Sequence, residues 1–598
     1  MPFQKRKIAI NMKKTFLCLN TLIIIILLSG PGCSQLPRSE LDDIIGASQV
    51  GYKPSDKKIA VLALDKRANL SEFTVSSPDG IPVFKGRIKY WGDKWHKNMY
   101  GLDFTKLNIA GRYKVQWDGL TSLAFSIDKS VWRKEIDLDK IFNGFFYSQR
   151  CLEHLVEKLR YNGDSTHADL DINLPIYIFD SNGNEVYNEL TFSDATGGWH
   201  DATSTDKETA KITWTAQQLL LAYQKNPSFF TSDPTSKDLP KILQEAKWGL
   251  DYLFKIQDVD GGMFLAVKPF DWWKPASLPR RLIINKDTGV TAKAVSCWAT
   301  AYSIFESIDP EYAEKCLSAA RKGLEWVDEH PNEYISDKIY PSYWTGKPSS
   351  VICALAELFL ATKDKNPEEA KIYYAKAVEL INKSEFKKGI WIERNIDIES
   401  MIFESKKEEA SLKEKERIER YVTKARNSAV EEHIILALSR LYPYASGQMK
   451  EKIEYDLLNW YEYWNKARNN PYGVIDNVLT DYFGLNGWVL QIGTDMLIVG
   501  EALDNKNIMQ IGKDQVQWVL GCNIFRVSFV VGIGEHYHNR PFKRLAKDVI
   551  GALMPGVLDV DRNGVPEVAG SYEWQTDEAT LDYTGSLILA FSLMDSTD

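Results

Sequence analysis

Leu123-Ala124-Phe125-Ser126-Ile127-Asp128-Lys129-Ser130-Val131-Trp132 is the stretch in which the chain changes its hydrophobic period. Upstream of it the pattern is short, alternating and broken by turns. Candidate strands cover 58–62, 72–75, 113–117 and 123–127, with Pro78-Asp79-Gly80 and Ala110-Gly111-Arg112 as turn signals between runs. Several such strands within about eighty residues predict a small β-sandwich over 45–130. Downstream of Val131 the apolar residues recur at helical spacing. Amphipathic stretches lie at 139–161, 208–225, 239–257, 292–307, 311–330, 350–362, 366–384, 430–441, 450–467, 487–503 and 584–594. About a dozen helices with few strands between them predict paired helices closing into a toroid over 135–598. A solenoid would repeat a consensus at a fixed period, and none is present. The charge-dominated segment 405–420 reads as a solvated helix face or loop.

A chain of 598 residues exceeds one compact core, in keeping with two folded domains. Its net charge of −8 argues against a nucleic-acid partner, because phosphate binding needs a basic face. Eighteen tryptophans are many, and an indole lies flat against a sugar ring as readily as it fills a core. The first 35 residues stand apart from the fold. Lys13 and Lys14 precede the apolar run 21–28, too short to span a bilayer, and Ser29-Gly30-Pro31-Gly32-Cys33 follows. The segment reads as an export signal resembling that of a bacterial lipoprotein, with Cys33 as the lipidated residue and the membrane engaged by that anchor alone. Plain secretion is the alternative, because Pro31 departs from the usual pattern. Two of the seven cysteines lie in this segment, and the other five form no pair at metal-binding spacing. They read as buried free thiols.

Three loop clusters interrupt the helices. The first is Asp194-Ala195-Thr196-Gly197-Gly198-Trp199-His200-Asp201-Ala202-Thr203. The second runs from Leu520-Gly521-Cys522-Asn523 through Ser528 and Gly532 to His536-Tyr537-His538-Asn539-Arg540. The third is Trp574-Gln575-Thr576-Asp577-Glu578-Ala579-Thr580-Leu581-Asp582-Tyr583. Each is weak alone, since an acidic residue before a helix is more often a cap than a catalyst. Together they supply carboxylates far apart in sequence beside sugar-compatible neighbours, which glycoside hydrolysis requires.

The order of these pieces carries a resemblance. Gln49-Val50-Gly51-Tyr52, Asp103-Phe104 and Ala110-Gly111-Arg112-Tyr113 resemble the immunoglobulin-like domain that precedes many cellulases. Gly197-Gly198-Trp199-His200-Asp201-Ala202 is similar to a motif of glycoside hydrolase family nine. Gly521-Cys522-Asn523, Ser528, Gly532 and His538-Asn539-Arg540 resemble that family's binding loop, with Asn539 in place of a second histidine. Gly551-Ala552-Leu553 and Gly556 resemble the segment that follows the loop. Asp577-Glu578-Ala579-Thr580-Leu581-Asp582-Tyr583 is similar to its terminal motif, with Asp577 in place of asparagine.

The resemblance implies an (α/α)6 toroid behind a small immunoglobulin-like β-sandwich, acting on a β-1,4-glucan or related polysaccharide with inversion. Inversion uses a protonated carboxyl on the leaving oxygen and a carboxylate about 6.5–9.5 Å away that activates water. Glu578 falls on the acid position, where a raised pKa is needed, supplied by a cleft and a carboxylate neighbour such as Asp582. Asp201 falls on the aspartate that helps to hold the water. The family's base falls on Ser204, or with one inserted residue on Thr205, and neither is a general base. Asp206 and Asp201 are the candidates for that role, although Thr205-Asp206-Lys207-Glu208 also reads as a capping box. Loss of the base altogether would leave a non-catalytic glycan-binding surface protein. Substrate contacts are expected from Trp199, His200, His538, Arg540 and Tyr583, with Trp272, Trp273 and Trp344 as candidate sugar platforms. No cofactor is expected. A structural calcium ion would suit Asp559-Val560-Asp561-Arg562-Asn563-Gly564, whose acidic spacing opens a calcium loop, although Gly570 stands where a bidentate Glu belongs.

Overall fold

The computed structural model of the chain describes residues 42–150, 171–179, 185–186, 191–231, 238–269, 281–333, 348–387, 390–393, 434–476, 483–540, 542, 549–558, 567–568 and 574–597. The signal segment, Cys151, the charged run at 405–420, Trp272, Trp273, Trp344 and the 559–564 loop lie outside them.

The alternating N-terminal runs form one sheet that curls around its own core. Its strand order is Ile44–Gly46, Ile59–Leu64, Lys97–Asp103, Pro82–Lys94, Glu72–Ser76, Gly111–Trp117, Phe125–Ile127 and Gly51–Tyr52, with Leu120–Thr121 paired to Gly111–Trp117. Every pairing is antiparallel except Gly51–Tyr52 with Phe125–Ile127. Tyr52, Phe73, Val75, Tyr100, Leu102 and Phe125 fill the interior.

Among the described residues six helices form the inner ring of the larger part: Thr209–Lys225, Thr288–Phe305, Pro348–Thr362, Ile434–Leu441, Asn486–Ala502 and Leu581–Ser596. Each packs against the next, and the last closes on the first. Position in the ring follows from composition. Thr288–Phe305 is buried at every residue but Ser303, as an element covered on all sides must be. Pro310–Glu329 outside it buries only one stripe, including Tyr312, Cys316, Ala320, Leu324 and Val327. Amides tie inner helices together: Gln217 donates to Ser296 (2.8 Å) and Thr300 (3.1 Å). Of the cysteines, Cys297, Cys316 and Cys353 are buried free thiols and Cys522 is a partly buried one.

Three expectations need correction. The helical period does not hold throughout, because a second sheet lies among the helices. It runs Glu185–Val186, Ile172–Phe179, Arg281–Lys286, Phe264–Pro269 and Lys207–Glu208, with Thr191–Asp194 paired to Ile172–Phe179. The capping box at 205–208 does not form, because Lys207 and Glu208 pair with Val267 and Ala266. The helix therefore starts at Thr209, and Glu208 caps it without a side-chain bond. The stretch from 139 also breaks early. A π-helical turn at Phe142–Phe146 is followed by one short turn, and Arg150 is already extended.

The sandwich grips the helical part through Gln49. Its side-chain amide donates to the His536 carbonyl (2.8 Å) and accepts from the His536 N–H (2.8 Å), and its own N–H donates to the Leu520 carbonyl (2.9 Å). Gly521 and Gly534, both at positive φ, pass so close that an added Cβ would lie 2.9 Å and 2.5 Å from the Gln49 side chain. Replacing Gln49 by Ala strands the His536 N–H, at about 1–3 kcal/mol for an unsatisfied group held from water, while the His536 carbonyl keeps its bond from the Ser528 N–H. Urea unfolding of Gln49→Ala should therefore show a lower midpoint, and an unchanged midpoint would remove Gln49 from this role.

Candidate active site

The first loop cluster is built into the second sheet at both ends. It leaves strand Thr191–Asp194 and returns through Lys207–Glu208. Gly197 and Gly198 sit at φ of 89° and 72°, in the left-handed region that favours glycine, and a Cβ on Gly198 would meet the Tyr252 ring at 2.7 Å. Trp199 then turns inward. Its Nε1 donates to Glu245 (2.8 Å), its ring lies against Gly249, and it is 0% exposed. His200 is equally buried, its N–H bonded to the Gln149 carbonyl (2.8 Å). The expectation that these two rings contact substrate is corrected: they are the foundation under Asp201.

Three charged side chains fix the far half of the loop. Asp171 receives Arg281, whose Nη2 lies 3.0 Å from one carboxylate oxygen, and Lys207 at 2.8 Å. Arg281 also donates to the Thr205 carbonyl (2.6 Å) and Lys207 to the Ala195 carbonyl (2.8 Å). All three are buried. Burial alone would push the Asp171 carboxyl up, but Lys207 and Arg281 outweigh it and hold its pKa below the ordinary value.

Within this frame Asp201, Asp206 and Glu208 converge, each offering an oxygen within 4.8 Å of the others. Two lysines share the space. Lys211 lies 2.9 Å from Asp201 and 3.9 Å from Glu208, and Lys268 lies 3.7 Å from Glu208 and 4.0 Å from Asp206. Ser204 donates to Asp206. Burial pushes the Asp201 carboxyl well up against the pull of Lys211, with Glu208, Asp206 and Asp582 adding to the rise. Burial alone would lower the Lys211 pKa, but Asp201, Asp582 and Glu208 together raise it well above its ordinary value. Two ammonium groups offset part of the charge of these three buried carboxylates.

Glu578 approaches from the other end of the chain. It sits between the turn Trp574–Asp577 and the helix Leu581–Ser596, and is partly exposed. The hydroxyl of Thr203 donates to its Oε1 (2.5 Å), and Leu581 N–H donates to the Asp201 carbonyl (2.8 Å), so the two loops are stitched together around it. Burial is the main cause of its raised pKa, with Asp206 adding to it and Thr203 and Lys211 opposing. The carboxylate that raises it is thus Asp206; Asp582 acts on Asp201 and Lys211.

The second cluster supports Glu578 from behind. His538 is buried, its Nε2 donates to Asp577 (2.8 Å), and Arg540 lies 3.9 Å from the same oxygen. Burial lowers the His538 pKa more than Asp577 raises it, so the ring is neutral at neutral pH. Arg540 and Tyr583 keep partial exposure, and the Tyr583 ring lies over Gly487, where a Cβ would come within 2.1 Å. The structure therefore brings together Glu578, Asp201 and Asp206, sets His538 and Arg540 against the neighbouring Asp577, and lays Tyr583 over Gly487. It adds Glu208, Lys211 and Lys268, which sequence reasoning missed. Their one signal was the need of clustered carboxylates for counter-ions.

Arg281→Met would leave Asp171 short of a partner and release Thr205. Breaking a buried ion pair on one side costs about 3–5 kcal/mol. The expected result is a large drop in the urea midpoint together with loss of any activity that depends on the 201–208 loop.

Comparison with known proteins agrees with this architecture. The family model for the cellulase N-terminal ig-like domain matches residues 44–122. The cellodextrinase of Butyrivibrio fibrisolvens is 26% identical over 561 residues, covering 86% of this chain and 89% of the relative. Endoglucanase D of Acetivibrio thermocellus is 24% identical over 621 residues, covering 97% of this chain and 86% of the relative. Among solved structures, Bacteroides ovatus GH9 shares the fold with a TM-score of 0.69 at 19% identity, covering 93% of this chain and 99% of that one. With its inner ring of six helices and a match to the glycosyl hydrolase family 9 model over residues 140–591, the chain belongs to that family and is a glycosidase with an immunoglobulin-like N-terminal domain.

Proposed function

We propose that the protein hydrolyses β-1,4-linked glucan or a related polysaccharide by a single inverting displacement, with Glu578 as the acid and Asp206 as the base. The observation that carries this reading is a partly exposed Glu578 bonded by Thr203 of the same loop that gathers Asp201, Asp206 and Glu208. Two relatives named for β-glucan substrates support the substrate class. The Glu578 carboxyl gives its proton to the glycosidic oxygen as the bond to the anomeric carbon breaks. Water attacks that carbon from the opposite face and loses a proton to Asp206. Asp206 is favoured over Asp201 because its charge acts on Glu578, whereas Asp201 is paired with Lys211 at 2.9 Å. Asp201, held in place by Lys211, orients the water. Arg540 and Tyr583 meet the sugar, and His538 holds Asp577 and through it the turn before Glu578. The alternative of a glycan-binding protein that lost its base draws no support, since three carboxylates adjoin the loop that bonds Glu578.

Export belongs to the same proposal, resting on the apolar segment before Cys33. Among the described residues no helix is long and apolar enough to cross a membrane.

Product release from cellulose-type β-glucans, xyloglucan and chitosan-type polymers tests the reading. Glu578→Gln and Asp206→Asn should each lower turnover by about 10²–10⁴-fold, the usual range for general acid–base catalysis. If Asp206→Asn stays active while Glu208→Gln does not, the base is Glu208. Glu208 stands at a helix start, 3.9 Å from Lys211 and 3.7 Å from Lys268.

The raised Glu578 pKa also sets a pH dependence. A carboxyl whose pKa is raised on folding stabilises the fold below the ordinary glutamate range, and that contribution is lost as pH rises through the raised value. Glu578→Gln should therefore melt higher than the wild type at neutral pH, with the gap closing in acid. A constant gap across pH would contradict the shift. The alkaline limb of the wild-type activity profile should fall where Glu578 deprotonates, above the normal range.

A further inference from the structure

A second cavity lies away from this site, where the sandwich meets the helical part, and encloses about 500 Å³. Its floor comes from strand Pro82–Lys94. Alternate residues of a strand share a face, and here Arg87, Lys89 and Trp91 all line the cavity. The neighbouring strand Lys97–Asp103 places Gly101 under Trp91, where a Cβ would lie 2.2 Å from the indole. The bare backbone of Gly101 thus lets the ring lie flat at a half-exposed position. Arg468 enters from the helical side. Its guanidinium is oriented by Asn465, at 2.6 Å and 3.2 Å, and by the Gly473 carbonyl at 3.4 Å.

The charge balance is the distinguishing feature. Four cations, Lys57, Arg87, Lys89 and Arg468, face the cavity against two carboxylates, Asp103 and Asp514. One of those carboxylates is already taken, since Asp514 pairs with Lys57 at 3.2 Å. Among the described residues Arg87, Lys89 and Arg468 form no ion pair. A chain of net charge −8 has gathered uncompensated positive charge around one tryptophan.

We propose that this cavity binds an anionic saccharide, a glycan chain or branch bearing uronic-acid carboxylates. The indole offers a flat apolar surface for the C–H face of a sugar ring. A guanidinium offers the forked donor geometry that matches a carboxylate. A neutral glucan would use the indole alone and leave the cations unmatched. Such a site would hold the enzyme on acidic polysaccharide while the ring of helices works elsewhere on the same material. The proposal concerns binding only, so it stands or falls separately from the assignment of Glu578 and Asp206.

Titration calorimetry of the full chain at low salt, with tetragalacturonate, cellotetraose and inorganic phosphate as probes, decides it. Tetragalacturonate is expected to bind, and Trp91→Ala and Arg87→Gln should each weaken it by about tenfold, a loss of one good contact. Its affinity should fall as salt is added, because the cations lie at the surface. Hydrolysis of soluble β-glucan should stay at the wild-type rate in both variants. Arg87 is an exposed strand residue, so its replacement tests the site without disturbing the core. Tetragalacturonate affinity indifferent to both substitutions would overturn the proposal. So would cellotetraose binding equally well, or phosphate displacing the tetramer at the same concentration, since a stacking patch or a plain anion site would then suffice.

Discussion

Asp171 is the residue around which the active site is organised. A buried carboxylate is tolerable only when paired, and Arg281 and Lys207 satisfy it from two strands of one sheet. Each of those cations has hydrogen-bonding capacity left over, and spends it on a carbonyl of the loop, at Thr205 and Ala195. The cost of burying a charge is thereby converted into rigidity at the place where catalytic geometry is set. Trp199 anchors the same loop from its other face, bonded to Glu245 and pressed onto Gly249.

Within that frame the site separates carboxylates by environment. Asp201, Asp206 and Glu208 share two ammonium groups, whereas Glu578 is held by the Thr203 hydroxyl and is largely removed from solvent. One carboxyl is thus biased toward its neutral form beside others that have counter-ions, and such divergence sorts an acid from its partners. The lysines matter as much as the acids, because without them three like charges within one loop would repel or take up protons.

Much of the fold was legible from period alone. The alternating runs before Ile127 became strands, and most helical stretches became helices within a few residues of their expected bounds. The second sheet was not legible. Arg281–Lys286 is buried through its first four residues and shows no alternation, and its partners are short and scattered between loops. Pro82–Lys94 was missed for the opposite reason: much of it faces solvent, so charged residues mask its period. At the site, Glu578 and Asp201 could be singled out because they sit in motifs. Lys211 could not, since a lysine near the start of a helix looks like solvated surface until the fold turns it toward Asp201. Trp199 and His200 were misjudged because a motif records that a residue is needed without saying whether it touches ligand or supports something that does.

Lys53 lies in the sandwich and donates to the carbonyls of Asp595 (2.6 Å) and Thr597 (2.7 Å) at the end of the last inner helix. This contact joins positions more than five hundred residues apart, and the ring of helices closes between the same final helix and Thr209–Lys225. Contacts of such separation form late, because the whole intervening chain must be placed before they are rewarded. A nascent chain can complete its sandwich early, yet the face of that sandwich meant for the helices stays bare until the last inner helix has been made. The architecture therefore carries a long window of vulnerability during its own manufacture, and covering that face in the interval is a task the finished molecule no longer displays.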